Sequence, residues 1–143
     1  MGEGYQGPDT LASPPRFVMP TPSAVHGPDF VALQVRDPEA SASFYEDALG
    51  LARALHSPPG AVVFDTKPIS FALRSALPGI DLAAGPAGNG VALWFLTDDS
   101  AALQASLVER GVETVKGLED SPFGQTFTFR DPDGYLITIH DRA

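Results

Sequence analysis

The sequence contains no cysteine, and only nine lysine and arginine residues stand against eighteen aspartate and glutamate residues. Without cysteine, a disulfide framework, a thiolate zinc site, an iron–sulfur cluster and a cysteine nucleophile are all excluded. The net charge of −9 would repel a phosphate backbone, which argues against nucleic acid as a partner. The same acidity would attract a cationic small molecule, although an acidic surface is also a common solubility feature.

Long apolar runs are missing as well. No stretch approaches the roughly 20 residues needed to cross a bilayer. The segment from Met1 to Tyr5 has neither the basic start nor the apolar core of a secretory signal. We therefore expect a cytoplasmic protein with no membrane partner. The chain has 143 residues, 43% of them hydrophobic, which is typical of one globular domain.

Prolines are concentrated at the start of the chain, at Pro8, Pro14, Pro15, Pro20, Pro22 and Pro28. Because proline lacks the amide donor and fixes φ, we interpret residues 1–28 as a flexible arm. Within the arm, only residues 16–19 have the composition of a short edge strand. The folded domain is predicted to occupy residues 29–143.

The rest of the chain contains an internal repeat. An apolar run precedes Asp37, and Gly50 follows that aspartate by thirteen positions. A second apolar run precedes Asp98, and Gly111 follows by the same thirteen positions, so the two copies are offset by 61. Each aspartate can cap the start of a helix, and each glycine can end one in the left-handed conformation.

Segments with a preference for β structure follow each predicted helix. They lie at residues 51–56, 61–65 and 69–74 in the first copy, and at 112–116, 125–130 and 135–140 in the second. The sequence therefore predicts an α+β fold in which a βαβββ module occurs twice. We place module one at residues 29–74, a linker at 75–90 and module two at 91–141.

Two motifs in these modules resemble a known family. The first helix reads Asp37-Pro-Glu-Ala-Ser-Ala-Ser-Phe-Tyr-Glu-Asp-Ala-Leu-Gly-Leu51, and Phe129-Arg-Asp-Pro-Asp-Gly-Tyr135 precedes the last strand. This order closely resembles the vicinal oxygen chelate superfamily, which includes glyoxalase I, extradiol dioxygenases and bleomycin-resistance proteins. The resemblance implies that the modules form a cupped mixed sheet, the glyoxalase/bleomycin-resistance/dioxygenase fold, with a ligand or metal inside.

The resemblance also identifies where a metal would bind. Metal-dependent members usually place His near the start of each first strand and Glu on each last strand, with open positions left for substrate. The matching positions here are Phe30, Val91, Thr138 and Ala72, or Ser70 if the register slips by two. None of these is a competent ligand. We therefore expect no metal and no cofactor, and we lean against catalysis.

Strand alternation predicts which side chains line the cup. In the first strand the uniformly apolar alternate residues are expected to face the helix, and in the second copy Trp94 is expected to pack beneath its helix. The predicted ligand-binding residues are Phe30, Ala32, Gln34, Ser70, Ala72, Arg74, Leu93, Phe95, Phe123, Leu136, Thr138 and His140. Such a pocket is apolar and aromatic with a few polar groups, which suits a planar ligand.

Two of these residues have a second interpretation. The turn containing Phe123 is similar to the Pro-Trp-Gly turn of metal-free antibiotic-binding members, with Phe in place of Trp. An aromatic residue there either helps to form a binding cleft or closes the end of the barrel. His140 either contributes a hydrogen-bonding or acid/base group to the pocket or is a partly exposed residue near a strand end.

The leading hypothesis is a metal-free protein that binds an aromatic or cationic small molecule, as bleomycin-resistance proteins do. One alternative is an enzyme of lyase or isomerase type with a non-standard site that uses His140, Arg74 or Asp65. Another is a non-catalytic interaction subunit, in which Phe30, Phe71 and Phe95 would fill the cavity.

The resemblance also implies a homodimer, because members of the superfamily commonly pair two chains around a twofold axis. The proline-rich arm either lies across the neighbouring subunit or remains a tail.

Overall fold

The computed structural model describes residues 23–142. Its elements are β1 (Phe30–Val35), α1 (Pro38–Asp47), β2 (Ala61–Phe64), β3 (Ser70–Ser75), β4 (Leu93–Leu96), α2 (Ser100–Glu109), β5 (Thr114–Ser121), β6 (Gly124–Arg130) and β7 (Leu136–His140). The edge strand expected at residues 16–19 lies outside the described residues, and residues 23–28 form no helix or strand. Neither helix in residues 23–142 is long and apolar enough to span a membrane.

The strands form two mixed sheets. The first has the order β1-β3-β2, with a parallel β1–β3 pair and an antiparallel β2–β3 pair. The second has the order β4-β7-β6-β5, in which only the β4–β7 pair is parallel. The predicted α+β class is therefore confirmed, with one sheet and one helix in each half of the chain.

Module one has one strand fewer than predicted. Residues 51–56 contain no strand, and only Arg53 makes an isolated antiparallel bridge, with Phe64. The side chain of Ser57 accepts the Val63 N–H at 2.9 Å, in place of a backbone partner. The two prolines that follow Ser57 have no N–H with which to extend a ladder. This part of the sequence prediction was wrong.

Both helices begin at an aspartate cap, but the second cap is not the predicted one. The side chain of Asp37 accepts the N–H groups of Glu39 and Ala40 in the first turn of α1, and that of Asp99 accepts the Ala102 N–H in α2. These caps are 62 positions apart, so the repeat matched through Asp98 is wrong by one residue. The glycines misled the alignment, because Gly50 follows its cap by thirteen positions and Gly111 by only twelve.

One hydrophobic core joins the two modules. The ring of Tyr45 on α1 lies 5.2 Å from that of Phe71, which in turn lies 5.3 Å from Phe95 of module two. On the same helix, the ring of Phe44 lies 6.1 Å from that of Phe129. Because α1 contacts both modules, the helix-facing sides of both sheets are the buried ones.

A buried hydrogen-bond network also joins the modules, at the turn before β7. The Tyr45 hydroxyl donates to Oδ2 of Asp131 at 2.6 Å, and Oδ1 of Asp131 accepts the N–H groups of Asp133 and Tyr135. The Tyr135 hydroxyl donates to the carbonyl oxygen of Gln34 at 2.7 Å. Burial raises the pKa of Asp131 above its usual value, although all three donors to its carboxylate oppose the rise. Burial and the neighbouring Asp131 raise the pKa of Tyr45 well above 10, so this hydroxyl stays protonated and remains a donor.

Candidate functional site

The exposed side of the four-stranded sheet carries large apolar side chains. Trp94 pairs with Thr138 and Leu96 pairs with His140, and partners in a parallel pair share a face. Trp94 is 49% exposed and Leu96 is 60% exposed. We define the aromatic face as Trp94, Leu96, Phe123, Thr128, Leu136, Thr138 and His140.

Trp94 therefore lies on the side opposite to the predicted one. Leu93 and Phe95, which were expected to line the cup, pair with the buried residues Ile137 and Ile139 and pack against the core. The reason is the one-residue error in the repeat, because a shift of one position moves every side chain of a strand to the other face. A match through the cap of α2 would have found Trp94 and Leu96 instead.

Three rings meet at the end of the aromatic face. The centroid of Trp94 lies 5.7 Å from those of both Phe123 and His140, and the latter two are 6.4 Å apart. The interplanar angles are 71°, 67° and 86°, so every pair has the edge-to-face arrangement that aromatic quadrupoles favour. Phe123 is 51% exposed, which leaves ring surface available for a ligand.

The turn between β5 and β6 holds Phe123 in this position. The hydroxyl of Ser121 accepts the Phe123 N–H at 3.0 Å and donates to the Gly124 carbonyl at 2.8 Å. The Phe123 carbonyl accepts the Arg142 N–H, which ties the turn to the residues after β7. Gly124 has φ +85, and a Cβ there would collide with the carboxylate of Asp141. The turn therefore requires glycine after Phe123.

Asp141 fixes the same end of the sheet. Its carboxylate accepts the backbone N–H groups of Ser100, at the start of α2, and Gln125, at the start of β6. These two donors hold the pKa of Asp141 below its usual value. Helix α2, the turn and β7 are thus connected beside the three rings.

The polar groups of the aromatic face are uncharged hydroxyls and an imidazole. Oγ1 of Thr128 and Oγ1 of Thr138 lie 2.9 Å apart, and one hydroxyl donates to the other. Because each hydroxyl has one proton and two lone pairs, the pair still offers one donor and free acceptor positions. Nδ1 of His140 lies 3.0 Å from the Arg142 carbonyl oxygen.

The predicted residues of module one share the exposed side of the three-stranded sheet. They form three register pairs, Phe30 with Ser70, Ala32 with Ala72 and Gln34 with Arg74. Phe30 is 50% exposed, whereas Ala72 is only 2% exposed and offers almost no surface. The side chain of Gln34 is engaged, since its Oε1 accepts the Leu77 N–H at 2.8 Å.

A cleft of about 370 Å³ lies where β1, the linker and the β6–β7 turn meet. It brings Ala32 and Gln34 of module one together with Leu136 of module two. The three rings are not among its lining residues, so this cleft lies beside the aromatic face rather than on it. The aromatic face of a single chain is consequently open to solvent.

The family's metal positions can now be assigned with the corrected repeat. Because the caps are 62 positions apart, the counterpart of Phe30 is Ala92 rather than Val91. The four positions are then Phe30, Ala72, Ala92 and Thr138, and together they supply no imidazole and no carboxylate. In residues 23–142, no three His, Asp or Glu side chains are grouped closely enough to hold a metal ion. These residues do not fit the divalent ion of the metal-dependent members.

A comparison with protein families decides the classification. The model of the glyoxalase/bleomycin resistance protein/dioxygenase superfamily matches residues 27–139. The chain belongs to this superfamily. The match includes both helices and all seven strands except the last residue of β7.

Solved structures of the superfamily resemble the chain over most of its length. A glyoxalase/bleomycin resistance protein from Streptomyces sp. CB03234 is 28% identical, with 80% of this chain and 100% of that chain covered and a TM-score of 0.64. TnmS3, an antibiotic binding protein from the same organism, is 27% identical, with coverages of 84% and 98% and a TM-score of 0.66. A lactoylglutathione lyase from Agrobacterium tumefaciens shares the fold at 22% identity, with coverages of 84% and 94% and a TM-score of 0.57. The comparison with curated proteins found no match.

Proposed function

We propose that the chain is a metal-free member of the superfamily that binds a small aromatic molecule on the aromatic face. The observation that carries the proposal is the group of three rings formed by Trp94, Phe123 and His140, two of which are about half exposed. Exposed aromatic surface beside a few polar groups is the usual composition of a small-molecule site. The resemblance to an antibiotic binding protein over 84% of the chain supports the same conclusion.

The enzymatic alternative receives less support from the side chains. His140, Arg74 and Asp65 were its candidate groups, and no hydrogen bond or ion pair in residues 23–142 joins any two of them. Asp65 instead lies 3.7 Å from Lys67 on the surface. A general acid or base needs a partner or a substrate atom within hydrogen-bond reach. The three groups do not form such a set in this chain.

Ligand binding is expected to raise the melting temperature as ligand concentration increases, because the ligand binds only the folded state. The measurement is a thermal-shift screen of aromatic antibiotics and metabolites, with native mass spectrometry to establish stoichiometry. Phe123→Ala should weaken a hit by about fivefold, because it removes stacking worth on the order of 1 kcal/mol.

Leu55→Ala provides the matched control for this screen. Leu55 is 95% exposed and is not part of the aromatic face, so its removal should leave both affinity and stability unchanged. Stoichiometric stabilisation by nickel, zinc, iron or manganese, together with new lyase or dioxygenase activity, would contradict the metal-free proposal.

We also propose that two copies pair and cover the open aromatic face. Exposed apolar residues on the sheets and next to their strands include Phe30, Val91, Trp94, Leu96, Phe123 and Leu136, at 43–65% exposure. Strands β1 and β4 are edge strands of their sheets, and an apolar surface next to such edges is commonly covered by a partner. A second copy would also enclose a ligand that a single chain leaves open to water.

Light scattering should therefore give twice the chain mass of 15.0 kDa. Leu96→Asp should shift the protein towards the monomer, because it places a charge on the covered surface, whereas Leu55→Asp should not. A monomeric mass for the unaltered chain would refute the pairing. A chain beginning at Gly27 tests the arm separately, because an unchanged dimer would leave the arm without a role in assembly.

A further inference from the structure

We infer that the ligand of the aromatic face is a planar aromatic compound without a positive charge. This inference rests on the proposed function and specifies its ligand class. It also separates the two ligands that the composition left open, since a net charge of −9 by itself favours a cation. The position of the carboxylates decides the matter against the cation.

The charged strand residues on the exposed side of the four-stranded sheet are paired with each other or with a neighbour. Lys116 and Glu119 occupy β5 positions opposite Thr128 and Thr126, and their charged atoms are 2.9 Å apart. Arg130 pairs in register with Leu136, and its Nε lies 3.1 Å from the carboxylate of Glu113. Among the strand residues of this sheet, Glu119 is the only carboxylate at a position on the exposed side, and it is paired with Lys116.

The exposed side of the three-stranded sheet carries a positive charge, at Arg74, and no negative charge among its register pairs. Arg74 is the charged residue among the module-one positions, and its Nε donates to the adjacent Ser75 carbonyl. No carboxylate in the described residues forms an ion pair with it. If a second copy brings this face over the aromatic face, the enclosed site gains positive charge.

Five of the eighteen acidic residues accept backbone N–H groups at helix starts and strand ends. Asp37 and Asp99 cap the two helices. Asp131, Asp133 and Asp141 accept backbone N–H groups at the ends of strands.

A cation on this face would gain attraction to the ring faces, but it would lose water without gaining a counter-charge. Desolvation of an unpaired charge generally outweighs a cation–π contact. A neutral or anionic ring system loses less and can use the remaining donor and acceptor positions of the Thr128–Thr138 hydroxyl pair. The Thr128–Thr138 hydroxyl pair can therefore form hydrogen bonds with carbonyl or hydroxyl substituents on a planar ring.

The test compares acridone, which is neutral, with proflavine, a tricycle of similar size that is cationic at neutral pH. Trp94 is the single tryptophan of the chain, so quenching of its emission reports binding at this face. Binding is assigned to the face only where Phe123→Ala weakens it, because proflavine will also adsorb to an acidic surface. We expect acridone to bind at least about tenfold more tightly than proflavine by this criterion.

Thr128→Asp adds the missing carboxylate and should reverse or abolish the preference, whereas Thr128→Asn should leave the order unchanged. Leu136→Glu serves the same purpose if Thr128→Asp does not fold. Equal or tighter proflavine binding that is sensitive to Phe123→Ala would overturn the inference and leave the proposed function intact. If neither tricycle nor any compound of the wider screen binds, both the inference and the proposed function fail.

Discussion

Phe71→Ala is expected to lower the free energy of unfolding by about 3–5 kcal/mol, whereas Trp94→Ala should lower it by no more than about 1.5 kcal/mol. Phe71 is 4% exposed and contacts the rings of Tyr45, Phe64 and Phe95, so its removal leaves a cavity between the two modules. Trp94 is larger, but half of its surface is exposed in the single chain, and its ring contacts are with Phe123 and His140.

Urea unfolding at one protein concentration measures both variants against the unaltered chain, with light scattering confirming that all share one oligomeric state. Phe95→Ala provides an internal comparison, because Phe95 is adjacent to Trp94 and lies on the opposite, buried side of β4. Phe95→Ala should lower the free energy of unfolding by more than Trp94→Ala does, although phenylalanine has the smaller side chain. A larger loss for Trp94→Ala than for Phe95→Ala would mean that the faces of β4 are assigned the wrong way round.

Helix caps and alternating strands made the fold predictable. Asp37 followed by proline, and an aspartate before the second alanine-rich stretch, fix where both helices begin because their side chains satisfy free N–H groups. The left-handed glycines Gly50 and Gly111 then end the helical segments. These are local effects, so a single sequence contains them.

The faces of the second module were not predictable from the same signals. In a helix, an error of one residue changes the face by a fraction of a turn, but in a strand it inverts the face completely. Asp98 and Asp99 are adjacent, and the true cap is identified by the hydrogen bonds from the Ala102 N–H to the Asp99 side chain and from the Leu103 N–H to the Asp99 carbonyl. Because of that ambiguity, the predicted site contained Leu93 and Phe95, whereas Trp94 and Leu96 lie on the exposed side.

The association of the three rings was beyond sequence reasoning for a different reason. Trp94, Phe123 and His140 come from a strand, a turn and another strand, and they meet because β4 pairs with β7 while the Phe123 carbonyl binds the Arg142 N–H. Such long-range contacts depend on strand order and register, which the sequence does not state. The sequence prediction included Phe123 and His140 separately and placed Trp94 beneath the helix, so it did not bring the three rings together.

The hydrogen-bond network between the modules gives the second large effect. Tyr45→Phe should destabilise the protein by about 1–3 kcal/mol at pH 7, because it leaves Oδ2 of Asp131 buried without a donor. Tyr135→Phe is the matched control, since it also removes one phenolic hydroxyl between the modules. Its acceptor is the neutral carbonyl of Gln34, and the expected loss is about 0.5–1.5 kcal/mol.

The pH dependence distinguishes the two tyrosines. Burial raises the pKa of Asp131 above its usual 3.8, so the folded chain binds this proton more tightly than the unfolded chain. The stability contributed by protonated Asp131 is therefore fully present below about pH 3.8 and is lost as the pH rises through the raised value. The cost of Tyr45→Phe should grow over the same range, because the variant leaves the charged form without its phenolic donor.

Asp131→Asn completes this test, because it cannot ionise and retains an oxygen for the N–H groups of Asp133 and Tyr135. Its stability relative to the unaltered chain should rise between about pH 4 and pH 7, the reverse of Tyr45→Phe. The pKa values of Glu39 and Asp141 are lowered, so protonation of either group in acid destabilises the fold. The variant and the unaltered chain both carry these two residues, so their contributions cancel when the two stabilities are subtracted. Denaturant unfolding across this range measures the differences, with Tyr135→Phe expected to stay flat. If Tyr45→Phe is equally flat, Asp131 is not a buried carboxylate that depends on Tyr45, and the network joins the modules only as ordinary neutral hydrogen bonds do.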